Sequence, residues 1–327
     1  MPDGARVLIT TVPFGEVDDT PLRLLRGAGI DFTVNPLGRK LKPAEAAEMV
    51  RDYDIVIAGT EPITDDVMAR APRLKLISRV GVGLDSVDLL AARRRGIGVS
   101  YTADAPAAAV AELTIGLIID VLRSVSVASA SLRAGRWDRL FGRRIAECTV
   151  GVVGMGRIGR RVVRHLSAFG GRVLVCDRVL DEGWARQWGA TPATFDEILR
   201  ESDVVTLHVP LAPQTRGMIG EEEIARMRPE AVVVNTARGG VVDEAALLAA
   251  LRAGRLAGAA VDVFEEEPYH GPLAAEPRCL VTPHLGSMSR DCRARMEIEA
   301  TEEAIRFARG EPLQQSVPPE EYAIREG

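Results

Sequence analysis

The chain has 327 residues, of which 46% are hydrophobic and 27% are charged, and its formal net charge is −5. This length is enough for about two domains, and the composition is that of a globular protein with ample apolar material for two cores. The mild negative charge and the absence of a long basic block give no support to a nucleic-acid partner.

Short apolar segments alternate with helical patterns in the first hundred residues. Strands are predicted at residues 7–10, 54–58, 74–79 and 97–100, which are rich in β-branched and other apolar residues. Between them, one helix is predicted to begin at Thr64, because Asp65 and Asp66 would lie in its first turn and complement the helix dipole. Strands that alternate with helices are typical of a parallel sheet with helices on both faces.

The rest of the chain repeats this alternation after a long apolar helix, predicted over residues 106–132. The arginine-rich stretch 135–147 is interpreted as a linker, and a helix over residues 289–309 is predicted to return to the first domain. Strands between these segments are nearly all apolar, as expected for strands buried on both faces. They are predicted at residues 149–153, 172–176, 203–208, 231–235, 257–263 and 279–282.

A glycine-rich turn follows the first strand of this second series. Gly154, Gly156 and Gly159 form a G-x-G-x-x-G pattern between the strand TVGVV and a helical segment, the context in which this pattern predicts a dinucleotide site. The first glycine allows a tight turn, the second a close approach to pyrophosphate, and the third close helix–strand packing. Asp177, about 20 residues on, is positioned to bind ribose hydroxyls and so favours NAD over NADP, although the adjacent Arg178 would soften that preference.

Polar residues follow the strands of the second series where each one ends. Because parallel strands all end at one edge of a sheet, we expect a cation, carboxylates and histidines to meet there. Histidine suits proton exchange near neutral pH, a neighbouring carboxylate orients its ring, and arginine binds a substrate carboxylate through two hydrogen bonds. These residues are Asp177, His208, Arg238, Asp262, Glu267 and His284.

Seven stretches of the chain resemble the D-isomer-specific 2-hydroxyacid dehydrogenase family. They are SRVGVGLDSVDL, AVAELTIGLI, TVGVVGMGRIG, LHVPLAPQTRGMIG, NTARGGVVDEAAL, GAAVDVFEEEP and TPHLG, and together they cover nearly the whole chain. The resemblance implies two doubly wound α/β domains. A Rossmann NAD-binding domain (residues 101–288) would be inserted into a flavodoxin-like catalytic domain formed by residues 1–100 and 289–327.

The resemblance also implies a catalytic trio. Arg238 would bind the substrate carboxylate and polarise its carbonyl, His284 would be the acid for reduction and the base for oxidation, and Glu267 would pair with His284. A solvated run of three glutamates is the alternative interpretation of Glu267, and a satisfied loop histidine is that of His284.

The resemblance also implies a set of residues that bind NAD. Asp262 would bind the nicotinamide carboxamide and His208 would line the nicotinamide pocket, although each could have a purely structural role. The full expected set is Gly154, Met155, Gly156, Arg157, Ile158, Gly159, Asp177, His208, Val209, Pro210, Thr236, Ala237, Asp262 and Gly286.

The glycine loop of the first domain is expected to bind the substrate. Val82 and Gly83 lie in a turn that presents backbone N–H groups to an anion, and Arg79 resembles the arginine that meets the substrate phosphate in the phosphoglycerate dehydrogenase branch. An ordinary strand-end arginine is the alternative. The stretch SYTADAPAAAV departs from that branch, so D-3-phosphoglycerate is expected, with glyoxylate, hydroxypyruvate or another small 2-keto acid as alternatives.

Several features bear on partners and location. The apolar helix at 106–132 and the resemblance predict a homodimer. The start MPDGARVLIT has no signal-peptide pattern and no segment offers ~20 continuous apolar residues, so a cytoplasmic protein without a membrane partner is expected. A cofactor-sensing corepressor with the same fold, or a phosphite or formate oxidase, remains an alternative function. Buried thiols and no metal site are expected from the spacing of Cys148, Cys176, Cys279 and Cys292.

Overall fold

The structure of the protein, a computed structural model, describes residues 4–326. These residues form two compact units. The first unit combines residues 4–106 with residues 289–326, and the second unit comprises Ala107–Met288. The chain therefore leaves the first unit once and returns to it once, so that the second unit is an insertion. The units divide after residue 106, whereas the boundary predicted from the sequence lies after residue 100.

The first unit is built on a sheet of five short parallel strands. The strands are β1 (Arg6–Ile9), β2 (Asp31–Val34), β3 (Ile55–Ala58), β4 (Leu76–Arg79) and β5 (Gly98–Tyr101), in the spatial order β2-β1-β3-β4-β5. The helices between them are α1 (Thr20–Gly27), α2 (Pro43–Val50), α3 (Asp65–Ala69) and α4 (Leu89–Arg94). The central strands β3 and β4 are fully buried, as strands covered by helices on both faces should be.

Strand β2 is absent from the sequence-based prediction. Its residues DFTV pair with β1 at the edge of the sheet and are half-buried or exposed. An edge strand of four residues has no continuous apolar run, and that run is the signal by which the other strands are recognised.

The long helix predicted at 106–132 is in fact two helices. Helix α5 (Ala107–Arg123) and helix α6 (Val125–Arg133) meet at Ser124, which has φ 51°. The Asp120 carboxylate accepts hydrogen bonds from the N–H of Ser126, at 2.9 Å, and from its hydroxyl. Local polar contacts of this kind compete with helix continuation. Hydrophobic periodicity does not report them, which explains the wrong prediction.

The rest of the second unit forms a seven-stranded parallel sheet. The strands are β6 (Thr149–Val153), β7 (Arg172–Cys176), β8 (Ala190–Pro192), β9 (Val204–Leu207), β10 (Ala231–Asn235), β11 (Leu256–Val261) and β12 (Cys279–Val281). Their spatial order is β12-β11-β10-β9-β6-β7-β8. The helices are α7 (Arg157–Ser167), α8 (Glu182–Gln187), α9 (Phe195–Glu201), α10 (Glu221–Arg226) and α11 (Glu244–Arg252), with short 3₁₀ turns at Ile145–Glu147 and Pro272–Ala275.

The chain returns to the first unit in a long helix, as predicted. Helix α12 (Arg290–Ala308) is capped by the Ser289 hydroxyl, which accepts from Cys292 N–H, and it packs on strands β3 and β4. The segment after it pairs with the edge strand β5 through Tyr101 N–H to the Gln315 carbonyl at 3.1 Å. Helix α13 (Pro319–Glu326) follows. The predicted fold class, two α/β domains with parallel sheets, is confirmed.

Within residues 4–326, no single helix has the length and apolarity required to cross a membrane. The pair Ala107–Arg123 and Val125–Arg133 meets that requirement only when taken together across its 63° bend.

Candidate active site

The predicted site residues of the second unit lie at one edge of its sheet. All seven strands are parallel, so their carboxyl ends point the same way. From the β12 end of the sheet inward, His284 follows β12, Asp262 and Glu267 follow β11, Arg238 follows β10, His208 follows β9, and the glycine turn follows β6. Such an edge is where open parallel sheets bind their ligands.

The glycine turn has the shape that a dinucleotide requires. Gly154 has φ 96°, and a Cβ there would collide with the His208 carbonyl, while a Cβ at Gly159 would collide with the Gly154 carbonyl. In contrast, no atom of residues 4–326 lies within 4 Å of a Cβ at Gly156. Gly154 and Gly159 thus allow the close packing of strand and helix, whereas Gly156 faces open space beside the start of α7. Among the described residues, no side chain caps that helix terminus. A pyrophosphate fits that space and the N–H groups of the helix terminus.

The side chain of Asp177 is tied to the same turn. One carboxylate oxygen accepts from Met155 N–H at 2.5 Å and the other from Val179 N–H at 3.1 Å. Asp177 remains exposed, and a carboxylate has about four lone-pair positions, so it keeps acceptor capacity for ribose hydroxyls. Of the other expected cofactor residues here, Arg157 opens α7 and Ile158 packs against the core.

His208 is held in a neutral state. Its Nε2 lies 3.0 Å from the Thr206 hydroxyl, and burial lowers its pKa to about 3. An imidazole of this kind does not supply the proton at neutral pH. The next residue, Val209, packs against the glycine turn, and the carbonyl of Pro210 accepts from the Thr215 hydroxyl at 2.6 Å.

The loop that carries Arg238 is held by hydrogen bonds to the side chain of Asn235, the last residue of β10. The Asn235 amide donates to the Arg238 carbonyl and accepts from Ala237 N–H, each at 3.0 Å. The buried Thr236 hydroxyl lies 2.9 Å from that of Thr114 on α5. The Arg238 guanidinium donates to the Ala237 carbonyl at 2.6 Å, so the loop and its arginine are restrained together.

The loops of Arg238 and Glu267 are packed against each other at Gly239. A Cβ at Gly239 would collide with the carbonyl of Phe264, which leaves no room for any other residue. Phe264 N–H in turn donates to Glu267 Oε1 at 3.1 Å, and its ring stacks on Tyr269 with ring centroids 3.9 Å apart. The cation-bearing loop therefore lies directly beside the carboxylate-bearing loop.

Glu267 and His284 form the central pair of the site. Nδ1 of His284 lies 2.9 Å and 3.0 Å from the two carboxylate oxygens of Glu267. The side chain of His284 is 33% exposed and that of Glu267 is 25% exposed, so both are partly buried and still accessible to solvent. A carboxylate on Nδ1 orients the ring and leaves Nε2 to exchange a proton with a ligand.

The expected substrate residues belong to the first unit. Arg79 ends β4 and is only 6% exposed, and its guanidinium donates to the Val80 carbonyl. Nη1 would lie 2.9 Å from a Cβ at Gly81, whose N–H donates to the Thr102 hydroxyl at 2.7 Å. The guanidinium thus lies beneath the glycine loop that continues through Val82 and Gly83.

The four cysteines are unpaired thiols in the described chain. Burial raises the pKa of Cys176 and of Cys279 to about 12 and that of Cys292 to about 11. Thiols with such pKa values are poor nucleophiles and poor metal ligands at neutral pH. Residues 4–326 also contain no cluster of three or more His, Cys, Asp or Glu side chains that could hold a metal ion.

Three residues that shape the site are absent from the set predicted from the sequence. Asn235 and Gly239 restrain the Arg238 loop, and Thr282 donates to Asp262 at 2.5 Å. Asn235 and Thr282 both directly follow the apolar run of a strand. That position is the sequence signal by which they could have been predicted as site residues. The Gly239 contact joins two loops from different strands, so nothing local in the sequence reports it.

Comparisons with known proteins agree with this geometry. The family model described as D-isomer specific 2-hydroxyacid dehydrogenase, NAD binding domain, matches residues 115–286. A D-3-phosphoglycerate dehydrogenase of Methanocaldococcus jannaschii is 40% identical over 83% of this chain and 53% of its own length. A glyoxylate reductase of Korarchaeum cryptofilum is 38% identical over 81% of this chain and 82% of its own length.

Solved structures extend the likeness to the whole fold. A glyoxylate reductase from Paecilomyes thermophila superposes with a TM-score of 0.86 at 31% identity, covering 98% of this chain and 100% of that one. The chain spans about half the length of the curated phosphoglycerate dehydrogenases of Methanocaldococcus jannaschii and Bacillus subtilis that it matches. With its second unit as the NAD-binding domain, the chain belongs to the D-isomer specific 2-hydroxyacid dehydrogenase family.

Proposed function

We propose that this protein is an NAD-dependent dehydrogenase that interconverts a small 2-keto acid and the corresponding D-2-hydroxy acid. The observation that carries the proposal is the His284–Glu267 pair, at 2.9 Å, on the sheet edge that also bears the dinucleotide turn. Reduction of a keto group needs a hydride at carbon and a proton at oxygen. At this edge the glycine turn would bind the hydride donor, NADH, and His284 would donate the proton.

Each member of the trio has one task in this reaction. Arg238 binds the substrate carboxylate and polarises the adjacent carbonyl. His284 gives a proton from Nε2 to the carbonyl oxygen in reduction and takes it back in oxidation, while Glu267 holds the ring and balances its charge. NAD, when bound, supplies or accepts the hydride. His208 takes no part in proton exchange, because its lowered pKa keeps it neutral.

Arg79 and the relatives of this chain bear on which 2-keto acid is the substrate. The sequence favours D-3-phosphoglycerate through Arg79, but in the structure that guanidinium is buried and bound to its own loop. Glyoxylate reductases are among the relatives that share most of their length with this chain. Both observations support a small unphosphorylated 2-keto acid such as glyoxylate or hydroxypyruvate.

A substrate panel tests the proposal. NADH oxidation is followed with glyoxylate, hydroxypyruvate, pyruvate and 3-phosphohydroxypyruvate, and kcat/KM is compared among them. We expect turnover with at least one keto acid and the highest kcat/KM with glyoxylate or hydroxypyruvate. Tight NADH binding with no turnover of any keto acid would contradict the enzyme proposal and would indicate a cofactor-sensing protein instead.

We also propose that the protein is a homodimer. Helix α5 does not support this as the sequence suggested, because its apolar face is buried within its own unit. The segment that follows it, residues 125–141, supports a dimer because it exposes several large apolar side chains. Light scattering at micromolar concentration tests the proposal, and a monomeric mass would refute it. The exposed side chains are Val125, Val127, Leu132, Trp137, Leu140 and Phe141.

A further inference from the structure

Arg160 lies in the first turn of helix α7, and its side chain reaches back to the glycine turn. Its Nε–H donates to the Met155 carbonyl at 3.1 Å. Met155 N–H in turn donates to the Asp177 carboxylate at 2.5 Å. The peptide groups on both sides of Met155 are therefore restrained, one by the carboxylate that is expected to bind ribose and the other by Arg160.

The same guanidinium also contacts the loop between β7 and α8. Its Nη2 lies 3.6 Å from the Asp181 carboxylate, and its Cζ lies 4.9 Å from the centre of the Trp184 ring, within the range of a cation–π contact. Trp184 packs against the core of the second unit. Asp181 accepts from Trp184 N–H at 3.0 Å and so caps α8. Both partners of the guanidinium are thus fixed to the fold.

These contacts join the two ends of the β7–α8 loop to the glycine turn. Asp177, where the loop begins, binds Met155 directly, and Asp181, where it ends, binds Met155 through Arg160. One exposed ion pair contributes little by itself. A planar guanidinium that meets a carbonyl, a carboxylate and an aromatic face together has a defined orientation, and it passes that orientation to the Met155 carbonyl.

We propose that Arg160 is a positioning residue for Asp177. It fixes the Met155 peptide, and through the N–H of that residue it fixes the carboxylate that selects NAD over NADP. Without Arg160, the peptide can rotate and the carboxylate loses the donor that aims it at the ribose. This inference rests on the NAD dependence within the proposed function, and it does not depend on which keto acid is reduced.

The variant Arg160→Gln tests this assignment through cofactor binding. We expect the Kd for NADH, measured by fluorescence titration, to rise about 3–10-fold, which is at most the value of one direct hydrogen bond to a charged group. The Kd for NADPH should rise less, because a carboxylate that is no longer fixed also repels a 2′-phosphate less. An unchanged Kd for NADH would overturn the proposal.

Arg164→Gln is the matched control for this variant. Arg164 lies one turn further along α7, and its guanidinium also lies over the Trp184 ring, with Cζ 5.7 Å from the ring centre. It shares the aromatic contact of Arg160 but is further from the glycine turn. Arg164→Gln should therefore leave both Kd values unchanged, and a rise equal to that of Arg160→Gln would assign the effect to the tryptophan contact and overturn the proposal.

A double-mutant cycle with Asp177→Ala separates positioning from a general effect on the cofactor site. If Arg160 acts through the carboxylate, Arg160→Gln should raise the Kd for NADH by less than about twofold once residue 177 is alanine, because the two changes are not additive. An equal rise in both backgrounds would mean that Arg160 supports the turn independently of Asp177, and the proposal would fail.

Arg160→Lys provides a second variant in case Arg160→Gln does not fold. Lysine keeps the positive charge, but its single ammonium group cannot contact Asp181, the Trp184 ring and the Met155 carbonyl at once. We expect a Kd for NADH between those of the wild type and of Arg160→Gln. A wild-type Kd in the lysine variant would show that charge alone is sufficient, and it would contradict the hold on Met155.

Hydrogen exchange of the cofactor-free protein separates this inference from the proposed function. Exchange of the peptides spanning residues 153–158 and 176–182 should quicken in Arg160→Gln relative to the wild type and to Arg164→Gln. This readout needs neither cofactor nor turnover. A wild type that binds NADH and reduces no keto acid would remove the proposed enzyme activity, whereas unchanged exchange in Arg160→Gln would remove the assignment of Arg160.

Discussion

Two pairs of charged side chains at strand ends, Glu61 with Arg79 in the first unit and His284 with Glu267 in the second, differ in exposure and in what they bind. In the first unit, Glu61 is 1% exposed and accepts from the Thr10 hydroxyl and from Gly59 N–H, and Arg79 is 6% exposed and donates to Val80. In the second unit, the side chains of His284 and Glu267 are 33% and 25% exposed and pair with each other.

The difference indicates what each strand end does. A charge that is buried and bound to its own backbone fixes the shape of a loop, and its removal disturbs that shape for every ligand alike. A half-exposed charge that another side chain orients is available for proton exchange and for binding. Glu61 and Arg79 are therefore expected to fix the shape of their own loops, and His284 and Glu267 to provide titratable groups.

The largest effect is expected for His284→Ala. Loss of the proton donor should lower kcat for keto-acid reduction by roughly 10²–10⁴-fold, while the Kd for NADH stays near the wild-type value. Steady-state kinetics and fluorescence titration measure the two quantities. The exposed His270 is the matched control, and His270→Ala should leave both unchanged. Full turnover in His284→Ala would mean that the chemistry does not lie at this strand end.

Arg79→Ala probes the other side of the comparison. Because the guanidinium supports the glycine loop, its loss should lower kcat/KM for hydroxypyruvate and for 3-phosphohydroxypyruvate by similar factors. Both are measured in the same NADH assay, with the exposed Arg94 changed to alanine as the control. A loss confined to the phosphorylated substrate would show that Arg79 turns outward to the phosphate, and the contrast between the two pairs would fail.

Asp177→Ala should have a smaller effect and change cofactor choice. Hydrogen bonds from hydroxyls to a charged group contribute about 1.5–3 kcal/mol, so the Kd for NADH should rise about tenfold or more. The Kd for NADPH should rise less, because the carboxylate also repels a 2′-phosphate. Asp177→Asn, which keeps an acceptor for Met155 N–H, separates the effect of charge from that of turn geometry. A wild type that prefers NADPH would contradict this role.

The smallest effect is expected from His208, and it concerns stability. The pKa of His208 falls from an ordinary 6.5 to about 3 on folding, so the unfolded chain binds more protons between these values. Its contribution to stability is complete above about pH 6.5 and is lost as the pH falls, by up to about 1.4 kcal/mol per pH unit.

Urea unfolding at pH 7, 6 and 5 measures this dependence. The free energy of unfolding of His208→Asn should fall less steeply with decreasing pH than that of the wild type, whereas His270→Asn should follow the wild type. Parallel curves for all three proteins would mean that His208 is protonated in the folded state.

Much of this architecture can be derived from the sequence because the second sheet is buried on both faces. Its strands are apolar runs, and the polar residue that follows each run marks the functional edge of the sheet. The same logic predicted that His284 and Glu267 lie near each other. It missed β2 and β8, which are short edge strands without such a run.

Other features depend on contacts that no local pattern records. The break at Ser124 arises from the Asp120 carboxylate, and the orientation of Arg79 is decided by its burial beneath the Gly81 loop. Asp262 is likewise joined to residues 282–286 by hydrogen bonds that a local pattern does not report.

The insertion of the second unit has a consequence for synthesis. Helix α12, which covers strands β3 and β4, is translated only after all of Ala107–Met288. At about 5–20 residues per second, the ribosome takes on the order of 10–40 s to make that stretch. During this time β3 and β4 of the first unit lack the helix that covers them. The second unit can fold in the same period, because its sequence is continuous. The half of the protein that is made first is the half that is completed last.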